Sequence, residues 1–328
     1  MLTTRLCSAL GIEHPIIQGP LGGPFEVGAE LPAAVSNEGG LGSIATALRS
    51  PDQVRADIAG VRRLTERPFA ANVTRRPFDE AVFAAVLDES PPVVSLALGD
   101  PGELVVRAHA AGCRFIGQVT TVRQAVEAAE AGVDVIVAQG AEAGGFASGS
   151  IGTMTLVPQI ADAVAPIPVV AAGGITDGRG LAAALMLGAA GVNVGTRFLA
   201  SSEARIADEW KRAVLVASAE DAVKVDFAEH LVPRPTEGGW LTVPRALRTP
   251  FIDCWLGRSG DVASRAGELG GELMAAMSEG RAHEYLPLAG QSAGAIAEIL
   301  SAAEIVRRIV TEAEQTLARV APSGQKDG

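Results

Sequence analysis

The chain has 328 residues, a formal net charge of −11 and an aromatic content of 4%. The negative charge and the scarcity of rings for base stacking argue against a nucleic-acid partner. No apolar run is long enough to span a bilayer and no signal-peptide pattern is present, so we expect a cytoplasmic protein without a membrane segment. Cys7, Cys113 and Cys254 lack metal-ligand spacing and predict reduced thiols with no metal site.

Short apolar or β-branched runs alternate with helical patterns along the chain as far as Thr196. Strict alternation of this kind favours a parallel sheet, and eight units favour its closure into a (β/α)8 TIM barrel. The predicted strands are His14–Gln18, Leu41–Ala45, Phe69–Val73, Val93–Leu98, Arg114–Val119, Val133–Ala138, Ile167–Ala171 and Gly191–Val194.

Helix-start and helix-stop residues mark the segments between these strands. Pro stands at the first position of a helix predicted over Pro51–Glu66, and Asp or Thr opens the helices predicted over Asp100–Ala111, Thr121–Ala131 and Asp177–Gly188. An Ala-Gly pair precedes three strands, at Gly112, Gly132 and Gly191. We expect each of these glycines to end a helix in the left-handed conformation.

The residues after the eighth strand predict a helical and irregular insertion at 199–290. Helices are expected over Ser201–Ser218 and Asp261–Glu279, with Phe227–Pro250 irregular. A long amphipathic helix over Ile296–Val320 would close the barrel as its eighth helix. The predicted organisation is therefore a barrel from 1–198 plus 291–320, a lid at 199–290 over the catalytic face and a flexible tail at 321–328. An apolar lid also allows a homodimer contact.

Two glycine-bearing strand ends predict a phosphate site. Gly173 and Gly174 follow the seventh strand, and Gly195 follows the eighth. Without Cβ atoms these residues let backbone N–H groups approach an anion closely. In a (β/α)8 barrel the loops after strands seven and eight form the usual phosphate site.

Four stretches of the sequence resemble the nitronate monooxygenase family, formerly called 2-nitropropane dioxygenases. They lie in the expected order and cover nearly the whole chain: PIIQGPLGG at 15–23, AQGAEAGG at 138–145, GAAGVNVGTRFL at 188–199 and AGQSAG at 289–294. The resemblance implies an FMN-dependent barrel oxidoreductase that acts on a small molecule and O2.

Carried over position by position, the resemblance implies a set of FMN contacts. Asn193 stands where the family usually has Gln, which shortens its reach. The implied cofactor-binding residues are Gln18, Gly19, Pro20, Asn72, Gln118, Gln139, Gly144, Gly173, Gly174, Asn193, Val194, Gly195 and Thr196, and the implied substrate pocket contains Phe146, Gln291 and Ser292.

The main departure from the family pattern is Phe146. The family motif continues from Gly-Gly to a His that is its proposed base or substrate anchor, whereas a Phe side chain neither accepts a proton nor donates a hydrogen bond. His283, in the insertion, is a candidate replacement. Glu142 is either a substrate-polarising group or a capping carboxylate, and Arg197 either supports the FMN phosphate or forms a salt bridge. The catalytic residue therefore stays unknown.

Three functions follow from the resemblance and this departure. The first is oxidation of an alkyl nitronate by FMN and O2 to a carbonyl compound and nitrite. A nitronate is already deprotonated, so this reaction does not require a base. An NAD(P)H-dependent FMN reductase of a quinone or enoyl substrate is the second function. A flavin-binding protein of low activity is the third. A purine-nucleotide dehydrogenase is disfavoured, because the loop at 139–153 contains no nucleophilic Cys.

Overall fold

A computed structural model describes residues 2–21, 28–147, 149–232 and 243–320 of the protein. Within these ranges, no helix combines the length and the apolar character needed to cross a membrane. The strands are β1 (Ile16–Gln18), β2 (Gly42–Ala45), β3 (Phe69–Thr74), β4 (Val93–Ala97), β5 (Arg114–Val119), β6 (Val135–Gln139), β7 (Gly145–Ala147), β8 (Val169–Ala172), β9 (Gly191–Val194), β10 (Ala222–Lys224) and β11 (Val243–Leu247).

Eight of these strands, β1 to β6 together with β8 and β9, form one parallel sheet that closes on itself. Its order is β1-β9-β8-β6-β5-β4-β3-β2. The seam between β1 and β2 is closed by two backbone hydrogen bonds, from Gln18 N to Leu41 O and from Leu41 N to Ile16 O, each 2.9 Å long. Each barrel strand matches one predicted strand, so the (β/α)8 prediction is confirmed.

The first helix precedes β1, and the helices that follow the barrel strands cover the outside of the sheet. The first eight are α1 (Arg5–Leu10), α2 (Glu30–Asn37), α3 (Pro51–Leu64), α4 (Glu80–Glu89), α5 (Leu104–Ala110), α6 (Val122–Glu130), α7 (Thr153–Ala163) and α8 (Gly178–Met186). The remaining ones are α9 (Thr196–Leu199), α10 (Asp208–Val216), α11 (Ala228–Leu231), α12 (Pro250–Trp255), α13 (Ser259–Ser264), α14 (Ala266–Ser278) and α15 (Ala302–Val320).

The predicted caps are present in two of three cases. Thr121 Oγ1 accepts a hydrogen bond from Gln124 N, and Asp177 Oδ1 accepts one from Arg179 N. Asp100 does not cap α5, which begins four residues later at Leu104. Its carboxylate accepts a hydrogen bond from Gly102 N instead, because an Asp side chain stabilises a turn in the same way as it stabilises a helix start.

The predicted left-handed conformation is present at Gly112 and Gly132, whose φ angles are +80° and +89°. At the third junction the left-handed residue is Gly188, with φ +93°, and the prediction for Gly191 is wrong. Gly191 opens β9 in close contact with the chain before β1. A Cβ there would lie 2.5 Å from Leu6 Cδ2 and 2.6 Å from Pro15 O.

The insertion is more ordered than the sequence predicts. The helix expected over Ser201–Ser218 is limited to α10, and the one over Asp261–Glu279 is split into α13 and α14. The irregular prediction for Phe227–Pro250 is wrong where α11 and β11 occur, and its residues 233–242 lie outside the described residues. These elements bury their own apolar cluster, which includes Phe227, Ile252 and Leu269.

The last helix occupies the predicted place but starts later. α15 begins at Ala302 rather than at Ile296, and it packs against α8 and α2 to complete the outer ring. Ile296 instead packs beneath α10 with Trp210 and Val214. The tail predicted at 321–328 lies outside the described residues.

Candidate active-site cavity

A cavity of about 290 Å³ lies at the carboxyl ends of the barrel strands, beneath the insertion. Its floor consists of side chains and glycines at the strand ends. Its roof consists of apolar side chains from the insertion, namely Ile206, Trp210, Val232, Leu273, Met277, Ala282, Leu286 and Leu288. The cavity therefore has a polar side that belongs to the barrel and an apolar side that belongs to the insertion.

Four carboxamides form the polar part of the floor. Asn72, Gln118, Gln139 and Asn193 stand at or near the ends of four different barrel strands. Asn72 Nδ2 donates a hydrogen bond to Ser95 Oγ at 2.9 Å, which fixes that side chain. Gln139 Oε1 is buried and has no hydrogen-bond donor within the described part of the chain. A buried acceptor without a donor is costly, so the Gln139 amide favours a ligand that supplies one.

The glycine-bearing ends of β8 and β9 lie side by side in the sheet, and both line the cavity. Gly173 and Gly174 have φ angles of +101° and +73°, which only glycine adopts without strain. A Cβ on Gly195 would meet no atom of the described residues within 4 Å. Among the described residues, the N–H groups of Gly174, Gly195 and Thr196 find no acceptor. Adjacent free amides of this kind suit a phosphate.

Nearly all of the predicted cofactor residues line this cavity. Gln18 and Val194 are the exceptions. Gln18 is fully buried, its Oε1 accepts a hydrogen bond from Ser43 N at 2.8 Å and its Nε2 donates to Gly19 O. Gln18 therefore stabilises the barrel seam. Among the predicted substrate residues Phe146 and Ser292 line the cavity, and Gln291 does not.

Glu142 caps a helix. Its carboxylate accepts hydrogen bonds from Thr153 N at 3.0 Å and from Thr153 Oγ1 at 2.9 Å, at the first residue of α7. The same hydroxyl lies 3.0 Å from Gly173 O. This network joins the loop after β6 to the glycine pair after β8. Of the two roles considered for Glu142, the hydrogen bonds support the capping carboxylate.

A small antiparallel sheet that sequence reasoning missed holds Phe146 at the cavity. β11 pairs with β10 on one side and with β7 on the other. In this register Phe146 stands opposite Pro244, and Arg245 stands between Gly145 and Lys224. The segment Val243–Leu247 shows no alternation of apolar and polar residues, so the sequence carried no local signal for this strand.

Two basic side chains, Arg245 and Lys224, lie within this small sheet, and burial disfavours the charged form of each. The buried Arg245 guanidinium donates to Ala141 O at 2.9 Å and to Ala222 O, and so ties the insertion to the loop after β6. Burial lowers the pKa of Arg245 below its usual range. Burial, reinforced by the charge of Arg245, lowers the pKa of Lys224 to about 8.

No ionisable side chain lines the cavity within the described ranges. Arg197 donates hydrogen bonds to Ala200 O at 2.8 Å and to Glu298 O at 2.6 Å, and within the described residues it forms no salt bridge. Its support of an FMN phosphate stays a prediction. His283 is not a lining residue, although its neighbour Ala282 is. The described residues also contain no cluster of metal-binding side chains.

The model of the nitronate monooxygenase family matches residues 3–81 and 74–312 of this chain. A (3aS,4S,5R,7aS)-5-hydroxy-7a-methyl-1-oxo-octahydro-1H-indene-4-carboxyl-CoA dehydrogenase of Mycobacterium tuberculosis is 40% identical over 239 residues. The match covers 71% of this chain and 66% of that protein. The chain thus spans just under two thirds of the length of this relative.

Two solved structures match almost the full chain. FabK of Thermotoga maritima superposes with a TM-score of 0.87 at 34% identity, covering 97% of this chain and 98% of that one. The nitroalkane oxidase of Streptomyces ansochromogenes superposes with a TM-score of 0.82 at 28% identity, covering 96% and 99%. Both similarities extend through the insertion as well as the barrel.

Replacing Lys224 by Met tests the charge buried in the small sheet. Below pH 8 the lysine is protonated in both the folded and the unfolded state, so burial of its charge lowers the free energy of unfolding. Between pH 8 and 10.5 only the unfolded state retains the proton, and wild-type stability rises relative to the variant. We expect the free energy of unfolding of Lys224→Met to exceed that of the wild type by about 2 kcal/mol at pH 7 and to differ little near pH 10.5. The value at pH 7 is below what the full pKa shift corresponds to, because the side chain is only partly buried. Urea unfolding of both proteins at the two pH values measures this, and an equal difference at both would contradict it.

Proposed function

Because this chain belongs to the nitronate monooxygenase family, we propose that it is an FMN-dependent oxidoreductase that oxidises alkyl nitronates with O2 to carbonyl compounds and nitrite. Its membership of the family makes it an oxidoreductase enzyme. The finer proposal is carried by one observation: the described lining of the cavity holds no group able to remove a proton from carbon.

The residues present fit FMN. The free N–H groups of Gly174, Gly195 and Thr196 suit a phosphate, and the open space beside Gly195 leaves room for one. Gln139 Oε1 offers a buried acceptor to an N–H or O–H group of the same ligand. Bound FMN would supply the acceptor for the substrate's electrons.

The substrate's state of protonation decides which reaction this cavity supports. A neutral nitroalkane must lose its α-proton before oxidation, and that step needs a positioned base. Phe146 stands where the family resemblance places a His, and it accepts no proton. An alkyl nitronate arrives without the α-proton. The N–H groups of the floor carboxamides would hydrogen-bond its nitro oxygens, and the apolar roof would exclude water from the site.

A second candidate is an NAD(P)H-dependent dehydrogenase or reductase of a bulky apolar substrate. The observation in its favour is the roof, which has more apolar side chains than a two- or three-carbon nitronate could contact. The relative from Mycobacterium tuberculosis is named as a dehydrogenase of a bicyclic carboxyl-CoA, a substrate with a large hydrocarbon body. Reduction of the flavin by NAD(P)H and not by a nitronate would favour this candidate.

The variant Gly195→Ala tests the cofactor assignment. The added methyl group meets no atom of the described chain, so we expect the fold to be unaffected, but it enters the space that the phosphate would occupy. We expect FMN to bind the variant at least about 10-fold more weakly, a loss on the order of one good hydrogen bond to a charged group. Titration of the apoprotein with FMN, followed by flavin fluorescence, measures the change. Gly271→Ala is the matched control, because its methyl group also meets no atom but lies on the exposed side of α14. Equal affinity in both variants would contradict the assignment.

The variant Phe146→His tests the role of the missing base. We expect nitroalkane oxidation to rise on the order of 10²-fold, since a positioned base contributes about that much, while nitronate oxidation changes little. Initial rates of O2 consumption with 2-nitropropane and with propyl-2-nitronate measure the two activities. Phe146→Leu serves as the control for loss of the ring. An FMN-loaded histidine variant that gains no nitroalkane activity over Phe146→Leu would refute the explanation.

A further inference from the structure

Two leucines at the cavity have backbone conformations that disfavour leucine. Leu48 has a φ angle of +64° and Leu98 one of +62°. Among the described residues, Ser90 at the end of α4 is the other non-glycine residue with positive φ. Leu48 and Leu98 follow barrel strands, and both line the cavity. Strained residues persist where the surrounding structure or a function holds them, so their shared location is informative.

Leu48 gains little from folding in this position. It is the third residue of a turn in which Arg49 N donates to Thr46 O at 3.1 Å, and positive φ at that position favours Gly or Asn. Its side chain is 60% exposed, so burial in the protein does not offset the strain. Leu98 is 6% exposed and is followed by Gly99. Protein stability alone therefore gives no reason for a leucine at position 48.

The sheet order places these leucines opposite the predicted phosphate site. In a closed sheet of eight strands, β3 and β4 face β8 and β9 across the barrel, and β2 adjoins β3. Leu48 and Leu98 line this side of the cavity together with Ala45, Ala47 and Ala97. We call these five residues the barrel-side wall. These five side chains are apolar, Asn72 and Thr74 at the end of β3 add polar groups to the same side, and the roof residues Leu273 and Met277 line the same cavity.

We propose that Leu48 determines substrate specificity by contacting a hydrocarbon group of the substrate between the barrel-side wall and the roof. The inference rests on the proposed function in that the same cavity holds the substrate. It adds the residue that holds the hydrocarbon body of the substrate while the oxidisable head group lies at the floor of the cavity. Leu48 lies at the mouth, where its exposed side chain is covered when such a body enters.

The variant Leu48→Ala tests this with substrates of two lengths. We expect kcat/KM for octane-1-nitronate to fall about 5- to 10-fold through KM, because truncating one apolar contact weakens binding by about that factor. The value for ethyl nitronate should stay within about 2-fold. Leu64→Ala is the matched control, since Leu64 is 48% exposed at the end of α3 and does not line the cavity.

A binding measurement separates this inference from the proposed function. Trp210 lines the roof, so its fluorescence reports 1-octanol entering the apoprotein's cavity without turnover. Weaker octanol binding in Leu48→Ala than in Leu64→Ala supports the inference, even if no variant oxidises a nitronate and the proposed function fails. Equal octanol binding in the two variants overturns it. Unchanged octanol binding with weaker FMN binding also overturns it, because Leu48 would then contact the cofactor.

The variant Leu48→Gly separates specificity from a structural role. Glycine adopts a φ angle of +64° without crowding, so we expect a melting temperature at or above that of the wild type. Octanol should bind this variant as weakly as it binds Leu48→Ala. A melting temperature several degrees below the wild type would show that the protein's own packing requires the leucine, and would overturn the inference.

Discussion

The closure of the barrel between β1 and β2 is the constraint on which the site depends. Gln18 is fully buried at this seam, where its backbone N–H donates to Leu41 O and its side chain bonds Ser43 N and Gly19 O. A closed sheet of eight parallel strands brings all the carboxyl ends to one rim and fixes which strands face each other. The carboxamides, the glycine pairs and the barrel-side wall thereby occupy fixed positions around one cavity.

The insertion completes the cavity and sets its chemistry. Its helices supply the apolar roof, and its strands β10 and β11 form a sheet with β7 that holds Phe146 at the cavity. Arg245 joins these parts through two backbone carbonyls. The nearby Arg245 and Lys224 thus hydrogen-bond backbone carbonyls, and the described lining contains only neutral side chains. Such a site favours hydrogen bonding and electron transfer over proton abstraction from carbon.

The barrel was predictable because each strand is a short, mostly buried run and several helices between the strands have local start or stop signals. Most of the residues predicted for the site line one cavity, since strand ends in a barrel meet at one face. The small sheet escaped prediction because β11 contains Pro244 and Arg245, and its partners Gly145 and Lys224 lie far away in the sequence. Tertiary pairing, rather than local propensity, forms such strands.

The anaerobic absorbance spectrum of the FMN-loaded protein tests the central claim, that the cavity passes electrons to the flavin without a protein base. We predict that propyl-2-nitronate bleaches the flavin band and that 2-nitropropane, at a pH where it stays protonated, does not. Equal bleaching by the neutral nitroalkane would contradict the account, because a base in the cavity would then remove the α-proton. Bleaching by NADPH with no response to the nitronate would also contradict it, and would favour the dehydrogenase or reductase.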